Sequence, residues 1–286
     1  MKSAIILVVA MLAAGLSSGC SSVRLAYNNA PQLAWWWLDG YADFSREQAP
    51  AARQAVDSFF DWHRREQLTD YAAWLVSVQP QLAANMNAAQ ACRLQEQARE
   101  KLEPSLQQAL VAAAGLVPGL GDDQFKAIEK RFAKVNDKMR DDFLQPDVAE
   151  RAEGVFKRTL DRAERLYGSL GAAQKRVIRE GLASSPFNPE LWLADRQRAQ
   201  RDTVVTLRRL IADRAGPDQR VAALRALAQR SERSTDPEYR AYHSRLREFN
   251  CGLAARLHNA TTPAQREKAR ENLQGWALDL RALVND

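Results

Sequence analysis

The chain has 286 residues, 46% hydrophobic and 27% charged, with 41 Lys and Arg against 35 Asp and Glu. This is enough apolar material for a sizeable core, and it excludes a wholly disordered chain, a collagen-like repeat and a polytopic membrane protein. Three cysteines and three histidines leave little material for a metal cluster.

The first segment opens with Lys2, runs apolar from Ala4 to Leu16, and ends in small residues before Cys20. That order is the n-region, h-region and cleavage region of a secretory signal, and the run is too short for a permanent spanning helix. Residues 1–19 are therefore expected to be a signal peptide. Leu16-Ser17-Ser18-Gly19-Cys20 resembles the lipobox of bacterial lipoproteins. The resemblance implies that Cys20 is acylated, palmitate included, and becomes the mature N-terminus. No Asp follows Cys20, since Ser21 and Ser22 stand there. By the same resemblance, the protein is expected on the periplasmic face of the outer membrane, held by its lipid.

Residues 20–44 form a tryptophan-rich opening. Tyr27, Asn28 and Asn29 precede Pro31, and Trp35, Trp36 and Trp37 follow. Pro31 disfavours helix at Ala30, and Asn suits caps and turns, so the first trio reads as a capped helix start or as a recognition segment. Successive helical residues point about 100° apart, so at least one indole must face inward. Most of the Trp cluster is expected in the core. Any exposed member would be a candidate contact with the membrane interface or a partner.

Residues 45–286 read as one all-helical domain. Phe125, Ile128, Phe132, Val135, Met139 and Phe143 recur at three- and four-residue steps, as do Ala269, Leu273, Trp276, Leu280 and Leu283. Four helix starts read cap-x-x-Gln, at Ser45–Gln48, Gly121–Gln124, Gly171–Gln174 and Thr262–Gln265. The Ser and Thr cases fit a capping box, and the Gly cases keep half of one. Phe44, Leu120 and Leu170 stand where hydrophobic staples would. Breaks fall near Pro118, Pro146, Gly168–Gly171, Pro186, Pro217 and Pro237, and Pro104 should kink or split its helix. The spacing predicts an all-α antiparallel bundle of eight or nine helices.

Cys92 and Cys251 remain after the anchor. In an oxidising compartment they pair or stay as two buried thiols, and spacing does not decide between these. His63, His243 and His258 are scattered, without His-x-x-x-His spacing, so no metal is expected. No Gly-x-Ser-x-Gly, phosphate-cradling Gly loop or Cys-x-x-Cys is present, so no cofactor and no enzymatic reaction are expected. The arginines, such as Arg196, Arg198, Arg201, Arg208 and Arg209, are interspersed with acids and read as solvated helix faces. A secreted lipoprotein does not meet DNA, which removes nucleic acid as a partner.

The run Tyr27-Asn28-Asn29-Ala30-Pro31 followed by Trp35-Trp36-Trp37, with Phe59-Phe60-Asp61-Trp62-His63-Arg64 later, resembles a family of proteobacterial lipoproteins of unknown function. The resemblance implies an anchored, all-helical body and transfers no catalytic residues. The expected function is a structural or protein-interaction role in the cell envelope, with a periplasmic or outer-membrane protein as partner. The alternative is a periplasmic holdase-type chaperone, because Thr262-Pro263-Ala264-Gln265 resembles a short signature of helical envelope-stress chaperones.

Overall fold

The structure, a computed structural model, describes residues 22–285; the expected signal peptide and Cys20 lie outside the described residues. In chain order the helices are α1 (Ser22–Asn28), α2 (Ala30–Ala42), α3 (Ala49–Glu66), α4 (Leu68–Val78), α5 (Ala88–Leu116), α6 (Asp122–Phe143), α7 (Val148–Tyr167), α8 (Ala172–Ala183), α9 (Pro189–Ala212), α10 (Pro217–Glu232), α11 (Pro237–Asn259) and α12 (Pro263–Asn285). Short 3-10 turns, Gln79–Leu82 and Val117–Gly119, follow α4 and α5. The described residues are all-α and contain no strand, as the periodicity predicts.

The described residues form twelve α-helices, more than the expected eight or nine. The surplus comes from breaks that carry little Gly or Pro signal. α3 and α4 are separated by Gln67 alone, whose backbone stays near the helical region (φ −108°, ψ −35°). Its N–H still bonds the His63 carbonyl and its carbonyl accepts from Tyr71, both at 3.0 Å, so the break keeps part of the helical pattern. Ala30 is helical despite Pro31, because proline in the first turn has no intrahelical donor to lose. Pro104 does not split α5, which runs unbroken for 29 residues. Pro104 and Glu100 are both exposed, so water can reach the carbonyl that the proline leaves unbonded.

Two hydrophobic clusters fill the interior. One joins Val78, Leu82, Phe156, Tyr167, Ile178, Leu257 and Leu273, contributed by α4, α7, α8, α11 and α12 and the turn after α4. The other joins Ala114, Val117, Phe125, Leu207, Leu210 and Leu224, from α5, α6, α9, α10 and the turn after α5. Helix α5 serves both, through Leu94 in the first and Ala114 in the second. Helix α12 packs against α1, α3, α4 and α7. Cys92 on α5 and Cys251 on α11 form a disulfide across 159 residues, with their Cα atoms 5.3 Å apart.

The Gln caps do more than start helices. In each of the four predicted cases, the Gln Oε1 accepts from the backbone N–H at its own cap, at 2.8–2.9 Å. The amide Nε2 then crosses to another helix start. Gln124 donates to the Asp43 carbonyl at 3.3 Å, and Gln48 donates back to the Gly119 carbonyl. Gln174 donates to the Ala260 carbonyl and Gln265 to the Ser169 carbonyl, both at 2.8 Å. Every accepting carbonyl lies two residues before the first residue of the other cap-x-x-Gln motif; at Ser45 that motif forms a turn instead of the expected helix start, and α3 begins at Ala49 with Gln48 as its N-cap. The four caps are thus two reciprocal clasps built on one pattern. Of the expected staple residues, Leu170 lies in the first cluster, Leu120 packs against the second and Phe44 stacks on Trp35.

Candidate functional site

The opening segment is held by α3. The Tyr27 hydroxyl meets Nδ1 of His63 at 2.8 Å, and the Tyr27 ring lies edge-on to Phe60. Arg64 donates to Asn28 Oδ1 at 2.9 Å and to the Leu283 carbonyl at 2.8 Å, with its guanidinium 5.2 Å from the Tyr27 ring centre. One arginine therefore joins α1 to α12. Burial pushes the Tyr27 hydroxyl up to about 12, partly opposed by Arg64, and burial pushes the His63 imidazole down. At neutral pH the pair is a phenol hydrogen-bonded to a neutral imidazole. Asn29 is not a side-chain cap; it donates to the Leu25 carbonyl at 2.8 Å. Tyr27 and Asn28 are thus latching groups. The motif gave no hint of this, because their partners lie 36 residues away.

Helix α2 divides the three tryptophans. Trp35 is 5% exposed, stacked on Phe44 with Arg53 4.2 Å from its ring centre. Trp36 and Trp37 are each 61% exposed, and Leu33 is 53% exposed. One indole lies in the core, not most of the cluster. The cause is geometric: α2 rests on α3 and α6 through one side only, and the residues on either side of position 35 turn away from it. Gly40 falls on the outer face too, with open space where a Cβ would stand.

Elsewhere an open groove of about 560 Å³ runs between α6 and α9. Its floor is a reciprocal amide pair, Asn136 to Gln200 at 2.8 Å and back at 3.0 Å. Phe132 lines it and touches Tyr41 of α2 edge-on. Nothing in the sequence marks either amide, since Asn136 sits within an ordinary amphipathic stripe. The three histidines stay apart. His63 meets Tyr27, His243 stacks on Tyr239, and His258, 1% exposed, bridges the Tyr167 hydroxyl and the Ala84 carbonyl. Among the described residues no three His, Cys, Asp or Glu side chains gather as metal ligands. No described helix is long and apolar enough to cross a membrane. Two of the arginines singled out above make ion pairs within the chain, Arg198 with Asp195 and Arg208, on the surface, with Asp122, while Arg208 also lies over the Phe125 ring.

These features define a class: an all-helical, disulfide-bridged protein whose opening helices are latched at one side and bare on the other. The chain belongs to a family of unknown function, DUF6279, whose model matches residues 40–240. No curated protein and no solved structure matches it.

Proposed function

We propose that the protein is a lipoprotein of the outer membrane, acylated at Cys20 after loss of residues 1–19, that presents a single helical body to a protein partner in the periplasm. Its role is structural or scaffolding, and no catalytic step is assigned to it. The observation that carries this reading is the Cys92–Cys251 disulfide. Such bonds persist in oxidising compartments and are rare in the cytosol. It agrees with the lipobox that ends at Cys20. The holdase reading has less support, because the Thr262–Gln265 motif is accounted for as a helix cap and clasp.

In-cell crosslinking with mass spectrometry tests the proposal, comparing the acylated protein with a Cys20→Ala form released into the periplasm. The expected result is one dominant partner that is lost in the released form. A spread of unfolded envelope proteins captured equally by both forms would overturn it in favour of a chaperone.

A further inference from the structure

We propose that the outer face of α2 rests on the phospholipid surface, with Trp36 and Trp37 at headgroup level, so that the body lies against the bilayer. This rests on acylation at Cys20, proposed above. Helix α1 is described from Ser22, two residues after Cys20 in the sequence. Two residues span at most about 7 Å of extended chain. With helical rise through α1 and α2, Trp36 lies no more than about 30 Å of chain path from the acyl group. A surface held that close to a bilayer meets it at high effective concentration.

The chemistry of the face fits lipid. The exposed positions of α2 from 32 to 40 are Gln32, Leu33, Trp36, Trp37 and Gly40, and none is charged. Indole rings favour the zone where hydrocarbon meets headgroups. Leu25 on α1, 61% exposed, adds a further apolar side chain nearer the anchor. Trp35, on the opposite side of α2, ties that helix to the core, so the outer indoles sit on a supported element.

The test reconstitutes the full acylated protein into vesicles of phosphatidylethanolamine and phosphatidylglycerol with brominated acyl chains, and reads tryptophan quenching. Of the seven tryptophans only Trp36 and Trp37 are exposed. Quenching is expected in the native sequence and should fall at least twofold in Trp36→Ala/Trp37→Ala, with unchanged circular dichroism. Equal quenching in both, or none in the native protein, overturns the inference. The mass of the N-terminal peptide is read in parallel. Absence of acyl groups refutes the anchoring reading separately, and the unacylated chain is then scored on the same vesicles by the same criterion.

Discussion

Removing one clasp glutamine should cost far more than an ordinary helix cap. Gln174 is 5% exposed and makes three contacts: from the Gly171 N–H at 2.8 Å, to the Ala260 carbonyl at 2.8 Å, and to Gln265 Oε1 at 3.1 Å. At about 1 kcal/mol net per hydrogen bond, Gln174→Ala loses about 3 kcal/mol, in part by leaving backbone groups unpaired. Gln265→Ala should lose about 2 kcal/mol, because its site is less buried and water can replace some partners. The pair shares a bond, so the double variant should fall short of the sum by about 1 kcal/mol. Gln219→Ala is the control. It caps α10 at the Gly216 N–H, and no cross-chain brace from it is found among the described residues, so about 0.5–1 kcal/mol is expected. Urea unfolding followed by circular dichroism measures all four. The reasoning fails if Gln174→Ala costs no more than Gln219→Ala, or if the double variant is strictly additive.

Other substitutions probe the remaining features. Cys92→Ser/Cys251→Ser opens a loop of 159 residues, for which the chain-entropy model gives about 5 kcal/mol; a melting temperature unchanged from the oxidised protein would contradict it. Trp35→Ala should cost about 3–5 kcal/mol, whereas Trp36→Ala and Trp37→Ala should each stay within about 0.5 kcal/mol in detergent-free solution, and three equal melting shifts would refute the division of the cluster. A Cβ on Gly181 of α8 would collide with the Leu253 side chain of α11. Gly181→Ala should therefore lose about 1–3 kcal/mol. Leu253→Ala is expected to relieve that loss, so the two substitutions combined should destabilise by less than their sum in a double-mutant cycle. His63 and His258 are both pushed below their ordinary value of 6.5 by burial. The unfolded chain binds protons there that the folded protein refuses, so stability is full above about pH 6.5 and falls as pH drops below it. Melting scans should show that decline, and His258→Gln should make it shallower.

Local signals and long-range ones were unequally legible in the sequence. The helix starts at Gly121, Gly171 and Thr262 are readable because a cap and its Gln lie within four residues of each other. Their pairing into clasps was not, because Gln174 and the Ala260 carbonyl are 86 residues apart and nothing local links them. Asn87–Gln90 and Gly216–Gln219 carry the same grammar and escaped notice. The break at Gln67 has no Gly or Pro to mark it. The Trp cluster misled for a related reason. Hydrophobicity says that indoles seek burial, but α2 offers only one side to the core, and three adjacent residues cannot all occupy it.

The bond from Arg64 to the Leu283 carbonyl has a consequence in time. Helix α4, completed at Val78, rests on α12, which begins only at Pro263. During synthesis the side of α4 that packs on α12 must wait for nearly two hundred further residues before its cover exists. Contacts so distant along the chain slow folding and prolong the exposure of sticky intermediates. The contact that covers α4 is therefore among the last to form.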